Sequence, residues 1–165
     1  EARGTGWLSA EYTMLPYSTS PRTRRDFLKR DGRSVEIQRI IGRCLRTVVN
    51  LDKLAGFSVT VDCDVLQADG GTRTAAITGA AVALNHAFSR MVHEKLITEN
   101  PMAGSIAAIS VGYVAGELLL DLDYREDSRA DIDMNVVMDE NGAFIDDGIA
   151  VTEFTGVLDL RGDAC

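Results

Sequence analysis

The sequence predicts an α+β domain in which helices pack on one side of a mixed β-sheet. Residues 58–65 alternate apolar and polar side chains, which is the pattern of a half-buried strand. Apolar residues between 77 and 91 recur every three or four positions, as on one face of a helix. Two short turns after residue 105 separate apolar runs and indicate β-hairpins. The order β, α, β, α, β, β, β therefore favours an α+β fold.

Composition is that of an ordinary globular domain. The chain has 165 residues, of which 45% are hydrophobic and 25% charged, so one domain with a normal core is expected. No apolar run approaches the roughly eighteen residues of a membrane span, and no signal segment opens the chain. We therefore expect a cytoplasmic protein without a membrane partner. Cys44, Cys63 and Cys165 are too scattered for a disulfide framework or a zinc site.

Charge is distributed unevenly along the chain. The net charge is −8, but residues 1–46 hold ten Lys or Arg against five Asp or Glu, whereas the remainder holds seven against twenty. The first part is thus at +5 and the second at −13. A basic face suits a polyanion, and a separate acidic centre could hold a metal ion.

The first part of the chain predicts a strand, a loop and a helix. Residues 9–12 are expected to be extended, and a polar loop follows between Pro16 and Pro21. Ser34 is placed to cap the helix. Its apolar stripe comprises Ile37, Ile40, Ile41, Cys44, Leu45 and Val48. Three arginines on the opposite side form either a solvated face or a contact with RNA or another subunit: Arg39, Arg43 and Arg46.

The loop before this helix is rich in arginine and lysine. Its positive residues are Arg22, Arg24, Arg25, Lys29 and Arg30. One interpretation is a solvated, flexible loop. The other is a surface that binds a phosphate backbone, where each contact releases counterions and makes the affinity depend on salt.

A glycine-containing turn at residues 67–74 joins the half-buried strand to the second helix. The free N–H groups of a helix N-terminus and its positive dipole end can bind an anion at such a turn. Gly70 and Gly71 allow a ligand to approach closely, and Arg73 offers a planar group that suits phosphate. The turn is neither a Walker loop nor a dinucleotide-binding turn. The alternative is an ordinary turn capped by Thr72 or Thr74.

Six carboxylates crowd the segment between the two predicted hairpins, which comprise residues 106–124 and 133–145. They are Asp121, Asp123, Glu126, Asp127, Asp131 and Asp133. We expect Asp121 and Asp123 to point the same way from a strand, and Asp127 and Asp133 to converge from either side of a short loop. Carboxylates this close repel one another unless protons or a cation such as Mg²⁺ or Mn²⁺ relieve them. The alternative is an acidic surface hairpin.

The run VDCDVLQADGGTRTAAITGA at residues 61–80 closely resembles the core signature of bacterial ribonuclease PH. Members of that family are phosphate-dependent 3′-to-5′ exoribonucleases, also called tRNA nucleotidyltransferases. Residues 6–12, 32–43 and 126–138 resemble the family in the same order, and the resemblance covers roughly residues 4–145. It implies the ribonuclease PH fold, which is similar to domain 2 of ribosomal protein S5. It also implies trimming of tRNA precursor 3′ ends with release of nucleoside diphosphates.

The resemblance also implies roles for particular residues. Inorganic phosphate, the co-substrate, would be bound by Arg33, Gly71, Thr72 and Arg73. The catalytic, metal-associated pair would be Asp127 and Asp133, with Mg²⁺ or Mn²⁺ as the ion. RNA would be bound outside the active site by Arg22, Arg24 and Arg25. The family assembles as a homo-hexamer, a trimer of dimers.

The resemblance implies further residues at both ends of the chain. Ribonuclease PH carries several dozen residues, including its first strands, ahead of this sequence, and usually a long C-terminal helix after it. We therefore expect a piece of a longer enzyme, with a core domain at residues 1–145 and a divergent tail at residues 146–165.

Two other functions stay open at this point. One is a non-catalytic RNA-binding ring subunit of an exosome-like assembly, which the retained Arg33, Arg73, Asp127 and Asp133 argue against. The other is an unrelated anion-binding α+β domain, which would not bind RNA in a salt-dependent way.

Overall fold

The computed structural model describes residues 4–24 and 32–151. The first half contains β1 (Trp7–Met14), α1 (Gly32–Thr47), a short 3₁₀ helix (Leu51–Leu54), β2 (Ser58–Val65) and α2 (Thr72–His93). The second half contains β3 (Ile106–Val114), β4 (Glu117–Leu120), α3 (Tyr124–Asp127), β5 (Ile132–Asp139) and β6 (Phe144–Val151). This order confirms the predicted α+β fold. None of the helices in this part of the chain is both long and apolar enough to cross a membrane.

Parallel and antiparallel pairing are both present, but they are divided between two sheets. Strands β1 and β2 pair in parallel, with Tyr12 opposite Cys63. The other sheet has the order β4-β3-β5-β6, and all its pairs are antiparallel. Asp133 of β5 lies opposite Gly112 of β3 in this sheet. Because β6 runs to Val151, the expected domain boundary at residue 145 falls inside a strand.

The two long helices enclose one hydrophobic core with the sheets. Helix α1 packs on β1, and α2 contacts β2 of the first sheet and β3 and β5 of the second. The predicted apolar faces are confirmed, because Val61 of β2 and Leu84 of α2 are buried and Cys63 of β2 packs against the same core. From α1 the core takes Ile37, Ile41, Cys44, Leu45 and the adjoining Val48. The core therefore holds both helices against the sheets.

Three local predictions were wrong. Helix α1 begins at Gly32, so Ser34 lies inside its first turn and is not its cap. Strand β4 ends at Leu120, because Asp121 adopts a left-handed backbone (φ 58°) and Asp123 caps α3. Asp121 and Asp123 therefore do not project from one strand.

The third wrong prediction is that Arg46 lies on a solvated face of α1. Its Nη1 donates a hydrogen bond to the Leu8 carbonyl oxygen at 3.0 Å, and its guanidinium lies 5.9 Å from the centre of the Trp7 ring. Gly42, one turn earlier, leaves room for this side chain to fold back, because a Cβ there would lie 2.9 Å from Nη1. Arg46 thus joins α1 to β1.

Candidate phosphate and carboxylate site

The N-terminus of α2 presents unused hydrogen-bond donors. Its N-cap is Gly71, in the left-handed conformation (φ 71°, ψ 17°), and no side chain caps the helix. The Thr74 hydroxyl donates to the Gly71 carbonyl oxygen at 2.8 Å, so neither Thr72 nor Thr74 caps the helix as the alternative interpretation required. Among residues 4–24 and 32–151, the backbone N–H groups of Thr72 and Arg73 have no acceptor. These donors and the helix dipole favour an anion at this position.

The glycine turn is fastened to the start of α3. Asp69 Oδ1 accepts hydrogen bonds from the N–H of Gly70 at 2.9 Å and of Tyr124 at 2.7 Å. These two bonds, aided by the positive charge of Arg125, lower the pKa of Asp69. A Cβ at Gly70 would collide with the Leu122 carbonyl oxygen, so only glycine fits this approach.

A buried serine on β3 supports the same junction. Ser110 is 4% exposed, and its Oγ accepts a hydrogen bond from the Leu122 N–H at 3.0 Å. The same oxygen lies 3.3 Å from where a Cβ of Gly71 would stand. The turn that precedes α2 and the segment that leads into α3 are therefore both held against β3.

Asp133 lies close enough to Asp127 to affect its pKa. Asp127 is the last residue of α3, and Asp133 is the second residue of β5. Partial burial and, secondly, the nearby Asp133 raise the pKa of Asp127, while the positive charges of Arg33 and Arg73 oppose that rise. The structure thus brings together four residues that lie up to 100 positions apart in the chain.

The other carboxylates of the acidic segment have separate surroundings. Asp123 and Glu126 form a capping box at the start of α3. Asp121 is exposed. In the described part of the chain, no group of three or more His, Cys, Asp or Glu residues is arranged to hold a metal ion. A pair of carboxylates still fits Mg²⁺, because this ion keeps several waters and is often bound by one or two carboxylates together with substrate phosphates.

The two arginines of the predicted phosphate site lie at helix N-termini. Arg33 is the second residue of α1 and is exposed, and Arg73 is the second residue of α2. Arg73 Nη1 lies 3.9 Å from Glu36 Oε1, and the Glu36 side chain is 61% exposed. The ion pair is weak because it is long and its acid is exposed, which leaves the Arg73 guanidinium able to bind an incoming anion.

The predicted RNA-binding arginines are only partly covered by the structure. Arg22 and Arg24 are exposed, whereas Arg25, with Lys29 and Arg30, lies outside the described residues. The segment that carries Arg22 and Arg24 is joined to the glycine turn, because the Ala68 N–H donates to the Ser18 carbonyl oxygen at 2.7 Å.

Sequence reasoning missed several residues that shape the site. Asp69 and Tyr12 lie inside the motifs of the resemblance but had no role assigned, and the Tyr12 hydroxyl donates to Thr72 Oγ1 at 2.9 Å. Ser110 is the one polar residue in the apolar run of β3, which is a signal that could have identified it. Glu36 gave no signal, since its partner is distant in sequence.

Comparison with known sequences shows which family this fold and site represent. The 3′ exoribonuclease family, domain 1, matches residues 1–89, and domain 2 of the same family matches residues 104–150. These two matches cover most of the chain and include every element that builds the site.

Solved structures show the same fold at low sequence identity. The chain in an Archaeoglobus fulgidus exosome with RNA bound to the active site is 20% identical, with a TM-score of 0.74 over 96% of this chain and 64% of that one. An archaeal exosome core gives 20% identity and a TM-score of 0.68, covering 96% and 61% of the two chains. Rice (Oryza sativa) Rrp46 gives 14% identity and a TM-score of 0.67, covering 92% and 61%.

The present chain thus spans a little over three fifths of the length of these proteins. Their likeness establishes the fold, and the two domain matches establish the relationship. The chain belongs to the 3′ exoribonuclease family, with the ribonuclease PH-like fold.

Proposed function

We propose that this chain is the core of a bacterial ribonuclease PH-type enzyme, a phosphate-dependent 3′-to-5′ exoribonuclease that trims tRNA precursors. The observation that supports the proposal is the meeting of two arginines and two carboxylates beside the N-terminus of α2. Arg33 and Arg73 are close enough to affect the pKa of Asp127, as is Asp133. A site with both signs of charge suits a reaction in which one anion attacks another.

Inorganic phosphate is the proposed nucleophile. It would be bound by Arg33, Arg73, the Thr72 hydroxyl and the free N–H groups after Gly71. RNA phosphates repel a phosphate ion, so fixed positive donors are needed for the two to approach. Because these donors are held by two helix N-termini, little reorganisation is required when phosphate binds.

The bond changes balance without a covalent enzyme intermediate. A phosphate oxygen attacks the last internucleotide phosphorus, and the bond from that phosphorus to the 3′ oxygen of the shortened RNA breaks. The departing 3′ oxygen takes a proton, and a nucleoside 5′-diphosphate is released. One of the two carboxyl groups, Asp127 or Asp133, would supply that proton. Bound at Asp127 and Asp133, Mg²⁺ or Mn²⁺ would supply screening of the charge on the scissile phosphate.

RNA binding and assembly complete the proposal. Arg22 and Arg24 would contact the tRNA backbone beside the active site, since their segment is joined to the glycine turn through Ser18. We also propose a homo-oligomeric ring of the hexameric type in the cytoplasm. Two of the similar structures are exosomes, which supports an assembly of several chains.

The test is incubation of the chain with Mg²⁺, inorganic phosphate and a tRNA that carries extra 3′ nucleotides. We expect nucleoside diphosphates to appear only when phosphate is present, and the Asp127→Asn variant to release none. Nucleotide release without phosphate would overturn phosphorolysis.

A non-catalytic RNA-binding ring subunit is the second candidate, favoured by the likeness to chains of two exosomes. It predicts RNA binding without any product, with or without phosphate. It also predicts that Asp127→Asn and the parent chain behave alike.

A further inference from the structure

Tyr12 connects the interior of the first sheet to the start of α2. Its side chain is 2% exposed, although it carries a hydroxyl group. That hydroxyl donates a hydrogen bond to Thr72 Oγ1 at 2.9 Å, across 60 residues of sequence. Thr72 is the first residue of α2 and therefore lies at the end of the helix that carries the free N–H groups. A buried tyrosine thus controls a hydroxyl at the candidate anion site.

The direction of this hydrogen bond decides what Thr72 can do. A threonine hydroxyl has one proton to donate and two lone pairs to accept with. When Tyr12 donates to one lone pair, the Thr72 proton must point elsewhere, and it has no acceptor among residues 4–24 and 32–151. The proton is then available to an anion at the helix N-terminus, beside the N–H groups of Thr72 and Arg73.

We propose that Tyr12 is a positioning residue, which holds the Thr72 hydroxyl as a hydrogen-bond donor to bound inorganic phosphate. The inference rests on the proposed function, because that function supplies phosphate as the ligand. Without the Tyr12 hydroxyl, the Thr72 hydroxyl can rotate, and part of its hydrogen bond to phosphate is lost. Loss of one hydrogen bond of ordinary strength corresponds to roughly fivefold to tenfold weaker binding.

A double-mutant cycle tests whether Tyr12 acts through Thr72. Equilibrium binding of inorganic phosphate is measured by calorimetry, without RNA, for the parent chain, Tyr12→Phe, Thr72→Val and the double variant. We expect Tyr12→Phe to weaken binding roughly fivefold to tenfold in the parent but to have no further effect beside Thr72→Val. In a Thr72→Ser background, which keeps a hydroxyl, the effect of Tyr12→Phe should persist. Equal weakening in the valine background, or unchanged binding by Tyr12→Phe, would overturn the proposal.

A matched tyrosine controls for loss of a hydroxyl elsewhere. Tyr17 is 63% exposed, so Tyr17→Phe should bind phosphate as the parent does. Kinetics add a second readout, since Tyr12→Phe should raise the KM for phosphate by the same factor while kcat at saturating phosphate stays within about twofold. A general packing defect would instead lower kcat as well.

The outcomes separate this inference from the proposed function. If the cycle shows coupling but no nucleoside diphosphate is released, phosphorolysis is wrong and the role of Tyr12 stands. If phosphorolysis occurs without coupling, only the role of Tyr12 is wrong. If the parent chain binds no phosphate, both are wrong.

Discussion

Replacing Gly70 by alanine tests whether the contact between the glycine turn and the start of α3 holds the site together. The glycine does not occupy the left-handed backbone region, so the loss of stability comes from contact and not from backbone strain. The added Cβ would collide with the Leu122 carbonyl oxygen and would lie 2.8 Å from the Asp123 carbonyl carbon. Both atoms belong to the backbone, which cannot rotate away as a side chain can.

The size of the effect follows from these distances. An ordinary contact begins near 3.4 Å, so the turn must move by at least about 0.6 Å from Asp123 and further from Leu122. The hydrogen bond from the Tyr124 N–H to Asp69, now 2.7 Å, spans the same junction and would lengthen. Overpacking costs about 1 to 3 kcal/mol and a weakened hydrogen bond about 1 kcal/mol more. We expect Gly70→Ala to lower the free energy of unfolding by about 2 to 4 kcal/mol.

Gly70→Ala should affect phosphorolysis more strongly than stability. The same movement separates the proposed phosphate-binding donors of α2 from Asp127, and a displacement near 1 Å can reduce an enzymatic rate about a hundredfold. The assays are urea unfolding followed by circular dichroism, phosphate binding by calorimetry, and phosphorolysis kinetics. All three are compared with the parent chain at equal protein concentration.

Gly79→Ala is the matched control. Gly79 lies in α2 with no atom within 4 Å of an added Cβ, so alanine there should stabilise the chain by about 0.5 to 1 kcal/mol. Phosphate binding should not change. A Gly70→Ala variant that is as stable as the parent and binds phosphate within about twofold would show that this contact does not hold the site together, and so would equal behaviour of the two alanine variants.

Three further predictions concern charge and burial. Folding raises the pKa of Asp127, so protonation of this carboxyl stabilises the folded chain at low pH, and that stabilisation is lost as the pH rises through the raised pKa. Asp127→Asn should therefore melt higher than the parent at pH 7. A difference in melting temperature between the two that does not change with pH would contradict this. Replacing Arg22 and Arg24 by alanine should weaken tRNA binding, measured by filter binding at several salt concentrations. The slope of log affinity against log salt should fall by roughly 0.7 to 0.9 per lost contact. An unchanged slope would show that these arginines do not contact RNA. Ser110→Ala leaves the buried Leu122 N–H without its acceptor, so the free energy of unfolding in urea titrations should fall by about 1 to 3 kcal/mol. An unchanged free energy of unfolding would mean that a water molecule replaces the hydroxyl.

Local pattern in the sequence was enough for the two long helices, most of the strands and the core, but it did not predict α3. Strand β3 was predicted over residues 106–114 and is Ile106–Val114, and the apolar faces of α1 and α2 lie in the core. Such patterns report which side chains must leave water, and that requirement acts over a few residues. The end of β4 was mispredicted because the turn at Asp121 and the capping box at Asp123 prevailed over the alternation that precedes them.

The residue types of the site were also predictable, because a glycine turn before a helix and a cluster of carboxylates have their own chemistry. The proximity of these groups in the fold was not predictable. Asp127 is affected by Arg33 and Arg73 only because α1 and α2 share one core with β3 and β5. Likewise, nothing near Tyr12 in the sequence indicates that its hydroxyl reaches Thr72. Sequence alone determined which groups this protein carries, and tertiary packing decided which of them touch, since contacts between distant residues depend on how whole elements are buried together.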